Sequence, residues 1–175
     1  RAPPPQDSPI QSTARWIGPH YLLAAGAGVL LGLAALLVLF MGLDAIGHLP
    51  PPAIANSLCV DEKLDFLRER APRGANLLVA GSSVAWRHVD GNIVAGLPGA
   101  APLNAGFCGL DVAQSAAVTD WMVRRYPAIE RVVLLIAPPD FARCTGNDAF
   151  SRAEADRYVF ERPPKWQFYL RYFDP

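Results

Sequence analysis

An uncharged apolar run near the N-terminus constrains this chain most. Tyr21 to Leu43 contains no Asp, Glu, Lys or Arg and consists mainly of Leu, Ala, Gly and Val. At about 1.5 Å of rise per residue, a helix of this length crosses the roughly 30 Å hydrocarbon core of a bilayer. Trp16 lies just before it, where aromatic side chains favour the membrane interface. We therefore predict one transmembrane helix, with the lipid bilayer as a partner.

The charges that flank this run predict its orientation. Arg1 and Arg15 precede it, and no further Lys or Arg occurs until Lys63. Basic residues stay on the cytoplasmic side of single-span proteins, so we expect the N-terminus in the cytoplasm and the rest of the chain across the membrane. The run is longer than the apolar region of a signal peptide, which favours an uncleaved anchor.

Two glycines lie one helical turn apart within the predicted span. Gly28 and Gly32 form a G-x-x-x-G pattern, and small residues of this kind let a second helix backbone approach closely. Glycine and alanine are also simply common in transmembrane helices. Two interpretations therefore stay open: packing against a helix of a larger membrane complex, or ordinary composition.

The remaining sequence divides into a tail, a linker and one domain. We predict a cytoplasmic tail over 1–15, the membrane helix with its flanks over 16–44, a Pro-rich linker over 45–60 and an α/β domain over 61–175. The chain carries 16 basic and 16 acidic side chains, so its net charge is zero. That balance lacks the basic surface of a nucleic-acid binder, and no nucleic-acid partner is predicted.

Two short apolar runs flank a predicted helix in the domain. Residues 76–80 and 132–137 have strand length and are apolar at nearly every position, as expected for parallel strands covered on both faces. Residues 111–126 between them have helical periodicity and end at Pro127. This order indicates a right-handed βαβ crossover, and thus a three-layer domain with a parallel sheet.

Serines follow the first predicted strand directly. Gly81-Ser82-Ser83 stands where a strand turns into a helix, and the carboxyl ends of parallel strands are where α/β sheets form their sites. The alternative is that Ser82 or Ser83 only caps the helix.

Three ordered segments give the domain a family resemblance. Gly81-Ser82-Ser83, Asn104-Ala105-Gly106-Phe107-Cys108-Gly109 and the run 132–141 resemble the blocks of the SGNH/GDSL hydrolase superfamily. They look most like its membrane-anchored branch, which accompanies exopolysaccharide and alginate acetylation in bacteria. The resemblance implies a flavodoxin-like fold in the periplasm, anchored in the bacterial inner membrane. It also implies an esterase or O-acyltransferase that acts on a cell-envelope polysaccharide without a cofactor.

The family's catalytic groups transfer only in part. The resemblance makes Ser83 the nucleophile and Gly109 an oxyanion N–H donor, and it aligns Asp140 with the third-block Asp, although a loop-capping role suits Asp140 better. Pro139 stands where the family has an Asn, and the family's C-terminal His has no counterpart. His88 follows Ser83 too closely to act as its base. Two interpretations stay open: a partial domain whose base lies beyond Pro175, or a non-catalytic accessory subunit.

The three cysteines complete the set of candidate residues. Cys108 and Cys144 follow the second and third blocks, whose loops converge at one end of the sheet, so they form a candidate disulfide. Free cysteines are the alternative. The spacing, with Cys59 included, matches no zinc motif, and no metal is predicted.

Overall fold

The computed structural model describes residues 19–142 and 149–173. Its elements divide between two compact units, Arg1–Leu49 and Pro50–Pro175. The regular elements are, in chain order, α1 (Pro19–Ala45), α2 (Leu58–Arg70), β1 (Leu77–Gly81), α3 (Ser83–His88), α4 (Gly91–Ala95), β2 (Pro102–Gly106), α5 (Val112–Arg125), β3 (Arg131–Leu135), a 3₁₀ turn (Pro138–Phe141), α6 (Arg152–Asp156), a π-helical turn (Arg157–Glu161) and a 3₁₀ helix (Lys165–Phe173).

Helix α1 corresponds to the predicted span. Within His20–Ala45, a window of 18 residues has a mean hydropathy of 2.6 and no buried residue, so the helix is long and apolar enough to cross a membrane. The helix ends at Ala45, and in the turn that follows, Gly47 has a φ of 69° that lets the His48 N–H donate to the Leu43 carbonyl at 2.9 Å. A side chain at Gly28 or Gly32 would meet nothing within 4 Å, so this face of α1 is open among the described residues.

The sheet has three parallel strands in the order β2-β1-β3. Strand β1 lies in the centre and is buried at all five positions, as its apolar sequence predicts. The parallel sheet and the mixed α/β class are confirmed. Strand β2 was not predicted as a strand; it pairs with β1 so that Gly81 lies opposite Gly106.

Helices cover both faces of β1. Leu78 and Ala80 point into the main core, which also contains Val118 and Trp121 of α5. Val79 is buried on the opposite face, because alternate strand residues point in opposite directions. Its register partner in β2, Asn104, bonds to α3, so α3 lies on that face. The three-layer arrangement is therefore present around β1 and β2.

Strand β3 differs from the prediction. Val132, Val133 and Leu134 are 41–45% exposed, although their apolar sequence predicted a strand covered on both faces. β3 is an edge strand, with β1 on one side and no described strand on the other, and the described helices α3 and α5 pack mainly on β1 and β2. The faces of β3 are therefore only partly covered. The apolar composition of this segment predicted that it forms a strand, but it did not predict which elements lie next to that strand.

The predicted Pro-rich linker is divided between the two units. Its beginning belongs to the unit of α1, whereas the segment from Pro50 onward belongs to the domain. Pro52 and Ile54 are buried, and the Asp61 carboxylate accepts hydrogen bonds from the Ile54 N–H at 2.9 Å and the Ala55 N–H at 2.7 Å. This segment is therefore fixed on α2 rather than serving as a free spacer.

Candidate functional site

The carboxyl edge of the sheet brings the predicted site segments together. Ser82 and Ser83 follow β1, the loop 107–111 follows β2, and the turn 137–140 follows β3. Because all three strands run parallel, these segments meet at one edge. The Phe107 N–H also donates to the Gly81 carbonyl at 3.1 Å, so the first two segments are in direct contact.

Two glycines of the motifs are required by close backbone packing. Gly81 has a φ of 138°, and a side chain there would overlap the Leu135 carbonyl oxygen of β3. A Cβ on Gly106 would lie 2.5 Å from the Trp86 nitrogen of α3. The glycines thus allow α3 to lie directly over the strand ends, which places Ser83 at the edge.

Asn104 holds α3 in this position. Its side-chain N–H₂ donates to the Ala85 carbonyl at 3.0 Å and the Val89 carbonyl at 3.3 Å, and its side-chain oxygen accepts from the Gly106 N–H at 2.9 Å. One side chain therefore connects β2 to a carbonyl group within α3 and to that of the residue that ends it. The sequence analysis quoted Asn104 in the second block but assigned it no role.

The two serines have different environments. Ser82 is only 2% exposed, and its hydroxyl donates to the Asp140 carboxylate at 2.8 Å. It occupies the position before α3 without capping the helix with its side chain. Ser83 is half-buried, and no described residue hydrogen-bonds its hydroxyl. Of the pair, only Ser83 has a hydroxyl without a hydrogen-bond partner among the described residues.

Asp140 has a structural role in the turn after β3. Its carboxylate accepts from the Ala137 N–H at 2.8 Å as well as from Ser82, and its own N–H donates to the Ala137 carbonyl at 2.9 Å. This is the loop-capping role predicted for it. Pro139 lies exposed in the same turn and offers no N–H, so this turn lacks the side-chain donor of the family pattern.

Two backbone donors are available at the edge. Gly109 is exposed, with a φ of 68° that favours glycine, and lies three residues beyond the paired position Gly106. Among residues 19–142 and 149–173, neither the Gly109 N–H nor the Ser83 N–H has an acceptor. Unpaired N–H groups at a site of acyl transfer can bind a developing oxyanion.

The predicted disulfide is wrong in its partner. Cys108 forms a disulfide with Cys59, whose Cα lies 6.0 Å away, and Cys144 lies outside the described residues. The physical reason is that the first turn of α2, which carries Cys59, packs next to the loop that follows β2 and carries Cys108. The bond ties this loop, and with it the neighbouring Gly109, to the start of the domain.

No base for Ser83 is present in the described part of the chain. His88 ends α3, and its Nδ1 lies 3.2 Å from the Val84 carbonyl one turn earlier, so the ring is directed along the helix. The described residues also contain no group of three or more His, Cys, Asp or Glu side chains that could hold a metal ion. The edge thus offers a hydroxyl and two N–H donors.

Comparisons with protein-family models, curated proteins and solved structures found no match to this chain. The SGNH resemblance therefore depends on the motifs alone and stays a prediction.

Proposed function

We propose that this chain is a membrane-anchored serine esterase or O-acyltransferase that acts on acylated polysaccharide of the bacterial cell envelope. Helix α1 is its single span in the inner membrane, and the α/β domain faces the periplasm. The proposal rests on the difference between Ser82 and Ser83 at the sheet edge. Ser82 is buried and bound to Asp140, whereas the Ser83 hydroxyl has no partner among the described residues. Ser83 and Gly109 follow strands at the same sheet edge, and their N–H groups have no acceptor among the described residues.

The proposed reaction follows from these groups. The Ser83 Oγ attacks the carbonyl carbon of an acyl ester, and the oxyanion that forms accepts hydrogen bonds from the Ser83 and Gly109 N–H groups. The alcohol departs with a proton and leaves an acyl-serine. Water or a sugar hydroxyl then takes the acyl group and restores the serine. The proton transfers require a base, which on this proposal comes from outside the described residues.

The test is hydrolysis of a nitrophenyl ester by the protein in its native membrane. Ser83→Ala should reduce the rate to that of membranes without the protein. Ser82→Ala is the matched control: it alters the neighbouring serine but keeps the nucleophile, so it should retain measurable turnover. A Ser83→Ala protein with the wild-type rate would refute the proposed role of Ser83.

A second candidate function is that of an accessory subunit in a membrane complex. The exposed apolar side chains of β3 favour it, as do the lack of a base for Ser83 among the described residues and the open face of α1 at Gly28 and Gly32. Purification in a mild detergent should then give a stoichiometric complex. Gly28→Leu with Gly32→Leu should dissociate this complex, whereas an enzyme acting alone would be monomeric before and after the change.

A further inference from the structure

A cleft of about 370 Å³ lies near the amino ends of the strands, at the opposite edge of the sheet from Ser83. Its walls include the segment 71–73, which leads into β1, and the segment 125–127, which leads into β3. We call it the arginine cleft, because its lining includes Arg73, Arg125 and Arg162, together with Tyr126 and Phe160. All of these residues lie within the α/β domain, and the volume suits a small-molecule ligand.

Two of the three arginines have no ion-pair partner in the described part of the chain. The Arg125 guanidinium is bound to the Asp156 carboxylate, with its Nε–H donating at 2.9 Å, and Glu161 also interacts with it. Arg73 and Arg162 are exposed, and neither pairs with an acidic side chain among residues 19–142 and 149–173. These two guanidinium groups therefore supply the uncompensated positive charge of the cleft.

The cleft also contains hydrogen-bond donors without acceptors. The Arg162 Nε–H donates to the Val159 carbonyl at 3.3 Å, which orients the guanidinium, while its terminal N–H groups have no described acceptor. The Tyr126 hydroxyl likewise has no hydrogen bond among the described residues. Burial raises the pKa of Tyr126, against the opposing charge of Arg162, so the hydroxyl keeps its proton and can donate.

Apolar side chains supply the rest of the lining. Leu67 and Val159 are buried, and the Phe160 ring packs edge-on against the Tyr126 ring with centroids 5.8 Å apart. The Arg125 guanidinium lies 5.4 Å from the centroid of the Phe160 ring. A ligand in the cleft therefore meets both positive charge and apolar surface.

We infer that the arginine cleft binds a phosphate monoester, with its phosphate at Arg73 and Arg162 and its organic group against the apolar lining. A phosphate monoester carries nearly two negative charges at neutral pH and has three terminal oxygens that accept hydrogen bonds. These match the two unpaired guanidinium groups and the Tyr126 hydroxyl, whereas a carboxylate brings one charge and two oxygens. The site is independent of the proposed acyl transfer, since the five residues of β1 separate the two edges by roughly 16 Å.

Calorimetric titration of the full chain in detergent tests the inference, with phenyl phosphate as the probe. We expect one site per chain in low salt. Methyl phenyl phosphate keeps the ring but carries a single charge, so its affinity should be lower by about tenfold or more. Failure of the wild type to bind phenyl phosphate, or equal affinity for the two esters, would overturn the inference.

Matched arginine variants locate the site. Arg73→Gln and Arg162→Gln should each lower the affinity for phenyl phosphate by about tenfold or more, and Tyr126→Phe should lower it by a smaller factor. Arg157→Gln removes the same charge from an exposed arginine that faces the Phe168 ring instead, so it should bind like the wild type. Because Arg73 and Arg162 are exposed, their substitution should leave the urea midpoint unchanged. Wild-type affinity in a folded double variant, Arg73→Gln with Arg162→Gln, would contradict the site.

Competition identifies the source of the phosphate. Displacement of phenyl phosphate by glucose 6-phosphate indicates a soluble monoester, displacement by dioctanoyl phosphatidic acid indicates a lipid head group, and either result supports the inference. If neither competes, the inference is overturned. Ser83→Ala should bind phenyl phosphate with wild-type affinity whether or not Ser83 is a nucleophile. A loss of binding in this variant would place the probe at Ser83 and overturn the assignment to the arginine cleft.

Discussion

A buried lysine gives the most direct test of the domain's energetics. Lys63 in α2 is only 4% exposed, and its ammonium lies 4.9 Å from the centroid of the Phe66 ring. No described carboxylate pairs with it. Burial lowers the pKa of Lys63 from its ordinary value of 10.5 to about 8, because the charged form loses its hydration. The folded domain therefore holds this proton less tightly than the unfolded chain.

The size and sign of the effect follow from this shift. One pKa unit corresponds to about 1.36 kcal/mol, so charging Lys63 in the fold costs about 3 kcal/mol. Between pH 8 and 10.5 the unfolded chain binds more protons than the fold, and the free energy of unfolding rises with pH. Burial raises the pKa of Tyr126 and of Tyr158, which lowers stability above about pH 10. The useful window is therefore pH 7.5 to 10.

Two substitutions distinguish charge from packing. Lys63→Met removes the ammonium but keeps a chain of similar length, and Lys63→Arg keeps a charge throughout the window. We expect the wild type to resemble the Arg variant at pH 7.5 and to approach the more stable Met variant at pH 10. Urea unfolding in detergent, followed by tryptophan fluorescence, measures this. A wild-type stability that is flat across the window, with equal Met and Arg variants, would refute the reasoning.

Three further predictions concern the frame of the site, each measured by urea unfolding. Gly106→Ala should lower the free energy of unfolding by about 1–3 kcal/mol, because its Cβ would overlap α3. Gly91→Ala, where a Cβ meets nothing within 4 Å, should leave it nearly unchanged. Equal losses in the two variants would contradict the packing. Asn104→Ala should lower the free energy of unfolding by about 1–3 kcal/mol, because the backbone partners of its side chain lose their hydrogen bonds. An unchanged urea midpoint would contradict this. Cys59→Ser combined with Cys108→Ser should lower the free energy of unfolding by about 2–4 kcal/mol, as expected for a bond between residues 49 positions apart. The wild type should lose a similar amount when a reductant is added. A wild type whose stability does not change with the reductant would contradict the bond.

Local patterns predicted the central elements well. The apolar run at 76–80 is β1 displaced by one residue, and the helix predicted over 111–126 is α5 with Asp111 as its cap. Asp111 and Gln114 form a reciprocal capping box, which is a local signal. Strand β2 had no such signal, because Pro102-Leu103-Asn104-Ala105-Gly106 is poor in strand formers and becomes a strand only by pairing with β1.

Long-range contacts explain what the sequence could not predict at the site. Because Ser83 and Gly109 follow predicted segments of the sheet, the sequence could predict that they lie at one edge. No local pattern predicts the hydrogen bond between Ser82 and Asp140, which are 58 positions apart. Three cysteines allow three pairings, and the observed one requires the path of α2. The exposure of β3 likewise depends on its place in the sheet rather than on its own residues.

Covalent trapping of the nucleophile tests the central proposal most directly. Native membranes that contain the protein are treated with a fluorophosphonate, and the digested chain is mapped by mass spectrometry. The proposal predicts a phosphonyl adduct on Ser83 that disappears in Ser83→Ala and persists in Ser82→Ala. An unlabelled Ser83 in the folded, membrane-bound protein would contradict the enzyme and leave the accessory subunit as the better account.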